Sequence, residues 1–178
     1  LPAPRNGNLP LSYAQQRLWF LDQLEPENPF YNTPLVFRLR GNLNRTSLQA
    51  ALQDIVIRHE VLRTAFCNDD GQPRQVVFDN LPVSLVELDL SHLPTDDREA
   101  AIRANASREA QTPFLDLSQP PLFRAVLLKL ETDEHVLLLT FHHIVIDGWS
   151  MSVLMRELTF SYNTHCGGEV NDLPPLPI

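Results

Sequence analysis

The stretch TFHHIVIDGWS, residues 140–150, sets two adjacent imidazoles, His142 and His143, inside an apolar run and follows them with Asp147 and Gly148. An imidazole can take up or release a proton near neutral pH, and a neighbouring carboxylate can hold a cation or an imidazole in place. As a strand, the run sends Leu137, Leu139, Phe141, His143 and Val145 to one face and Val136, Leu138, Thr140, His142 and Ile144 to the other. Both faces are apolar, which predicts a central strand covered on both sides. An unpaired buried polar group costs about 1–3 kcal/mol, so each imidazole requires a hydrogen-bonding partner or a task. One histidine is therefore expected to be a structural brace and the other a site residue. The blander reading, a satisfied core histidine behind an Asp-Gly turn, stays open on these residues alone. A metal site is disfavoured because adjacent strand histidines diverge and His135, on the face of His143, lies about 26 Å away at about 3.3 Å per residue. A serine hydrolase is disfavoured too: no GxSxG elbow is present, and Ser150 reads as a helix N-cap.

Helical and strand signals alternate along the chain that must position these groups. Ser12 and Gln15 form a capping box for a first helix bearing Ala14, Leu18 and Leu21, with Pro26 past its end. Arg17 is read as solvating that helix, and Trp19 and Trp149 as packing residues. A strand follows around Leu35 to Leu39, then a helix carrying Leu48, Ala51, Leu52 and Ile55 up to His59. Short strands are predicted at Leu62 to Cys67, Gln75 to Asp79 and Val83 to Leu88, with Asp69-Asp70-Gly71 as a turn. Thr95 to Gln111 reads as a largely surface helix, and Leu122 to Glu131 with His135 to Ile146 as a hairpin. A last helix, from about Ser150 to His165, carries a core stripe of Met151, Leu154, Met155, Leu158 and Tyr162 and stops at Gly167-Gly168. This order predicts an α+β fold, a two-layer sandwich of helices on a largely antiparallel mixed sheet.

The 178 residues carry 14 basic and 22 acidic side chains, a formal charge of -8, which opposes binding to nucleic acid or anionic membranes. The N-terminus lacks the layout of a signal peptide and no apolar run reaches membrane-span length, so a soluble cytoplasmic protein is expected. Cys67 and Cys166 are read as two unrelated thiols. Both ends, LPAPRNGNLP and VNDLPPLPI, read as linkers.

Three separated segments carry a family resemblance. HHIVIDGWS resembles the HHxxxDG motif of nonribosomal peptide synthetase condensation domains, SYAQQRLWFL (residues 12–21) their opening motif, and RHEVLRTAF (residues 58–66) their second motif. All three stand in the family's order at similar spacing, and the likeness runs over essentially the whole chain. Phe141 stands where the family usually has Met, and Ile146 where it often has Ser. Cyclization domains carry aspartates in place of the two histidines, so His142 and His143 point away from that branch.

The resemblance implies one half of a chloramphenicol acetyltransferase-like pseudo-dimer whose active site lies between two lobes. Residues 1–10 would be a linker from a preceding carrier domain, 11–168 the N-terminal lobe, and 169–178 the start of the connection toward a missing C-terminal lobe. It implies peptide-bond formation between aminoacyl or peptidyl thioesters. These are tethered by phosphopantetheine arms that donor and acceptor carrier proteins supply, with no cofactor or metal bound directly. The implied site is His143, His142, Asp147 and Gly148, with His143 facing the reacting groups, as a general base or a positioning group, and His142 as a brace. An ion pair between Asp147 and Arg63 is implied as support, and Gly148 is expected to permit a backbone turn beside the tunnel. Implied partners are the C-terminal lobe, the two carriers and an adjacent adenylation domain, with self-association through an exposed inter-lobe surface as a further expectation. The alternatives are a non-catalytic carrier-docking or scaffold lobe and an epimerization-type relative.

Overall fold

The computed structural model describes residues 9–168, 173, 174 and 176. Its first elements are a two-residue strand β1 (Leu9–Pro10) and helix α1 (Tyr13–Leu24). The Ser12–Gln15 capping box is present, each side chain accepting from the other residue's amide, at 3.3 and 3.0 Å. A 3-10 turn over Pro29–Tyr31 leads into β2 (Asn32–Arg40), and α2 (Arg45–Arg58) follows, capped by Asn44. A second 3-10 turn, Glu60–Arg63, occupies the start of the strand expected from Leu62, so β3 runs Thr64–Asp69. The expected Asp-Gly turn closes a tight hairpin to β4 (Gln72–Val77), and Asp70 and Gly71 both have positive φ, 50° and 81°. That is the pair of conformations a two-residue hairpin turn demands.

The remaining elements are β5 (Leu85–Asp89), α3 (Thr95–Gln111), β6 (Phe123–Lys129), β7 (Glu134–His142) and α4 (Gly148–His165). β1, β4 and β3 make one small antiparallel sheet, so residues 9 and 10 of the expected leading linker are paired strand. Residues 1–8, and most of the expected connection over 169–178, lie outside the described residues. The second sheet has the order β2-β7-β6-β5, antiparallel except for the β5–β6 pair. Parallel neighbours need a crossover, and α3 supplies it.

Period-two alternation divides the second sheet between two apolar clusters. Ala125, Leu127, Leu137, Leu139 and Phe141 join the α2 and α4 residues Leu48, Ala51, Leu52, Ile55, Leu154 and Leu158. Val126, Leu128, Val136 and Leu138 join Ile102 of α3 on the other face. Helices thus cover both faces of β7, as its double apolar pattern predicted, and at the sheet centre the expected two-layer packing gains a third layer. Helices α2 and α4 are tied by polar links as well: Asp54 accepts from the Ser161 hydroxyl at 2.6 Å and lies 2.8 Å from the His165 ring. Among the described residues no helix is long and apolar enough to cross a membrane.

Leu139 is fully buried at the middle of β7. Leu139→Ala is expected to lower stability by about 2–5 kcal/mol, the range for a buried leucine whose cavity cannot collapse. Urea unfolding checks this.

Candidate active site

β7 ends at His142, four residues before the Ile146 that its apolar pattern suggests. The His142 amide still reaches Leu122 O on the β6 side (2.9 Å), whereas the His143 amide donates to Tyr31 O on the β2 side (2.8 Å). Beyond this point the chain turns, with the Val145 amide bonding His142 O at 3.1 Å. Ile144, Val145 and Ile146 are all buried in the α2–α4 core, while His143, Asp147, Gly148 and Trp149 are exposed. The apolar residues after the histidines are therefore a plug that anchors the turn and not a continuation of the strand. The histidines part company there: His142 is 2% exposed, and His143 stands at the rim.

His142 lies beside the rings of Tyr31 and Phe114, with centroids at 6.2 and 6.0 Å. Its Nδ1 accepts a hydrogen bond from the Ile144 amide at 3.2 Å, which requires Nδ1 to be unprotonated and the ring proton to sit on Nε2. Burial, reinforced by the charge of neighbouring His143, pushes this imidazole down to about 4. The expected brace is thus a neutral ring that serves a backbone amide.

Asp147 is the N-cap of α4, in the place expected for Ser150. Its Oδ1 accepts from the Ser150 amide at 2.8 Å and from the Ser150 hydroxyl at 2.7 Å. The Ser150 amide and then its hydroxyl hold the Asp147 carboxyl below the usual carboxylate range. The implied pair with Arg63 is not formed: Arg63 donates to Phe78 O and to Glu60 Oε1, the latter at 3.3 Å. Gly148 opens α4 with φ outside the left-handed region, and a Cβ added there would meet no atom within 4 Å. The turn itself therefore does not require a glycine. Trp149, expected to pack, is 83% exposed.

The second motif reaches the site by another route. Val61 and Leu62 face Val145, Ile146 and Leu154 across a cavity of about 130 Å³. Arg58 and His59, at the end of α2, converge on the buried Glu157 of α4 at 2.9 and 2.7 Å. Burial works to raise the Glu157 carboxyl, and the His59 and Arg58 hydrogen bonds outweigh it, leaving it below its ordinary value. Glu157 is missing from the sequence-level site. An acid three residues after Leu154 and four before Ser161, in the stripe facing α2, was the available signal.

The model of the Condensation domain family matches residues 5–177. The chain is 47% identical over 177 residues to a linear gramicidin synthase of Brevibacillus parabrevis, covering 99% of this chain and 2% of that protein. It is likewise 47% identical over 173 residues to phosphinothricin tripeptide synthetase PhsC of Streptomyces viridochromogenes, covering 97% of this chain and 16% of the relative. Among solved structures it is similar to the first condensation domain of the calcium-dependent antibiotic synthetase, in complex with a substrate analogue. The TM-score is 0.84 at 30% identity, over 94% of this chain and 40% of that one. The X-domain of teicoplanin biosynthesis, in complex with OxyB, matches at TM-score 0.85 and 32% identity, over 99% of this chain and 37% of that one. The chain thus spans a small fraction of these curated relatives and about two-fifths of the solved chains.

Because Asp147 caps a helix and Arg63 serves Phe78 and Glu60, their effects on stability should be independent. Asp147→Ala is expected to cost about 0.5–2 kcal/mol and Asp147→Asn less. The cost of Asp147→Ala with Arg63→Ala should equal the sum of the single costs to within about 0.5 kcal/mol in denaturant titrations. His142 supplies a pH test. The unfolded imidazole binds a proton below about pH 6.5, the folded one only near 4. Its contribution is complete above the unfolded value, falls by a few kcal/mol as pH is lowered through that window, and is flat below it. His142→Gln should lose this component of the pH dependence between pH 7 and 4.

Proposed function

The chain belongs to the condensation-domain family, and on that premise we propose that it is the histidine-bearing N-terminal lobe of an enzyme that joins carrier-tethered aminoacyl or peptidyl units. Its coverage of about two-fifths of the solved family chains supports the reading as one lobe. The amine of the acceptor attacks the carbonyl carbon of the donor thioester, a C–N bond forms, the C–S bond breaks, and the amine proton ends on the departing thiol. Phosphopantetheine arms belong to the two carrier proteins and enter as part of the substrates. The lobe itself contributes position and a proton-handling side chain.

The observation that carries this reading is the division between the two histidines. A buried imidazole whose Nδ1 is engaged by Ile144 has no route to a substrate, whereas His143 stands exposed one residue further on. In this reading His143 orients the attacking amine and takes up its charge as the C–N bond forms, as a base or as a hydrogen-bond partner. Asp147 supports the site by starting α4 at the rim. Gly148, where a side chain would meet nothing in this chain, leaves room for what comes from the opposite wall, the C-terminal lobe or an acceptor arm. An adjacent adenylation domain would load the acceptor carrier.

A second reading is favoured by one neighbour, the X-domain, which is solved in complex with another protein, OxyB. In that reading the lobe docks a partner and makes no bond. Intact mass of the acceptor carrier separates the two, after charged donor and acceptor carriers are mixed with this chain, with and without the C-terminal lobe. The condensed mass is expected only with both lobes present, and His143→Ala should lower its rate by about 10²- to 10⁴-fold. Carrier binding without condensation, or turnover indifferent to His143→Ala, would favour docking.

A further inference from the structure

Asn32 opens β2 directly opposite His142 of β7, and opposed residues of paired strands project to the same face. Its Nδ2 donates to Ala110 O and Thr112 O at the end of α3, both at 2.8 Å. Rotating the amide by half a turn would point an oxygen at two carbonyl oxygens, so the network fixes which atom is Oδ1. That Oδ1 is buried and has no hydrogen-bond partner among the described residues. The same is true of Nε2 of His142. Since Nδ1 of that ring accepts from the Ile144 amide, Nε2 carries the proton. One orphaned donor and one orphaned acceptor thus belong to facing residues, and the His142 ring lies beside Tyr31 and Phe114.

We propose that Asn32 is a positioning residue: its Oδ1 takes the Nε2–H of His142 through one bridging water, and so locks His142 in the tautomer whose bare Nδ1 holds the turn that presents His143. The alternative tautomer would set a ring N–H against the Ile144 N–H and open the turn. Residues 31 and 32 then grip both histidines, Tyr31 through its carbonyl to the His143 amide at 2.8 Å and Asn32 through its side chain to the His142 ring. The link to His143 chemistry rests on the function proposed above, and the link between Asn32 and His142 does not.

Nitrogen-15 NMR of histidine-labelled chain tests the structural link without catalysis. In the unaltered chain the Nε2 proton of His142 is expected to be bonded and slow to exchange with solvent. In Asn32→Leu it should exchange at least about tenfold faster, with the Nδ1-protonated tautomer now populated. An unchanged tautomer and exchange rate would overturn the proposal. If Asn32→Leu does not fold, the smaller Asn32→Ala decides by the same measurement, and an unchanged tautomer and exchange rate there overturn the proposal. The kinetic readout uses the two-lobed enzyme, where Asn32→Leu should lower kcat about 10- to 100-fold with little change in KM. If His143→Ala abolishes turnover while Asn32→Leu, its His142 bond lost, leaves kcat intact, the positioning role is overturned. If His143→Ala leaves turnover intact, it is the functional reading that fails, and the NMR result still decides the structural link.

Discussion

The structure turns on the burial of β7 on both faces. A strand in that position has no solvent to fall back on, so every amide and carbonyl must find a partner in β2 or β6 until the strand ends. At its C-terminal end the two flanking strands stop being available together: Leu122 serves His142 and Tyr31 serves His143, and neither serves Ile144. A buried amide left unpaired costs about 1–3 kcal/mol. A leucine or valine at position 142 would leave it so, and an imidazole with a free Nδ1 does not. This is the physical reason for a histidine at a place where an aliphatic side chain would pack as well. It also explains why that ring resists protonation, since its cation would be both desolvated and unable to accept from Ile144.

What holds the turn is divided between apolar and ionic anchors. Ile144, Val145 and Ile146 enter the core that α2 and α4 share, and those helices are in turn held together at one end by Glu157 with Arg58 and His59. A buried ionic cluster adds less to stability than its short distances suggest, because desolvation opposes attraction. Its directional bonds do set the register of α4 against α2, and α4 carries Asp147 at its start. The second motif therefore influences the site through the placement of a helix and through Val61 and Leu62 beside the plug, with no contact to the Asp147 carboxylate.

Local chemistry was readable from the chain, and long-range pairing was not. The Ser12–Gln15 box, the Asp70-Gly71 turn and the 95–111 helix depend on residues a few positions apart, and each stands where its residues predict. The adjacency of β2 and β7, residues 32–40 against 134–142, and the parallel pairing of β5 with β6 leave no local mark. Ile144-Val145-Ile146 misled for a definable reason: three branched apolar residues extend a strand pattern whether they continue the ladder or plug a core. Trp149 misled in the opposite sense, since a large aromatic residue is ordinarily buried and here is exposed. The separate fates of His142 and His143 followed from alternation, although what divides them is the end of the strand between them.

The exposed rim bears on the function proposed for this chain. His143, Asp147, Gly148 and Trp149 all face outward, and Phe30, beside the Tyr31 carbonyl that holds His143, is 79% exposed. An imidazole bathed in water spends its hydrogen bonds on solvent, and charge developing near it is screened at high dielectric. The same ring under a second protein surface would act on a dry substrate, where each oriented hydrogen bond counts for several times more. Large aromatic side chains left bare around a polar group are the composition expected of a surface that another surface covers. The chain holds the His143 backbone from β2, β7 and the buried plug, and under the function proposed above a low-dielectric cover over that ring would be the contribution of a second lobe.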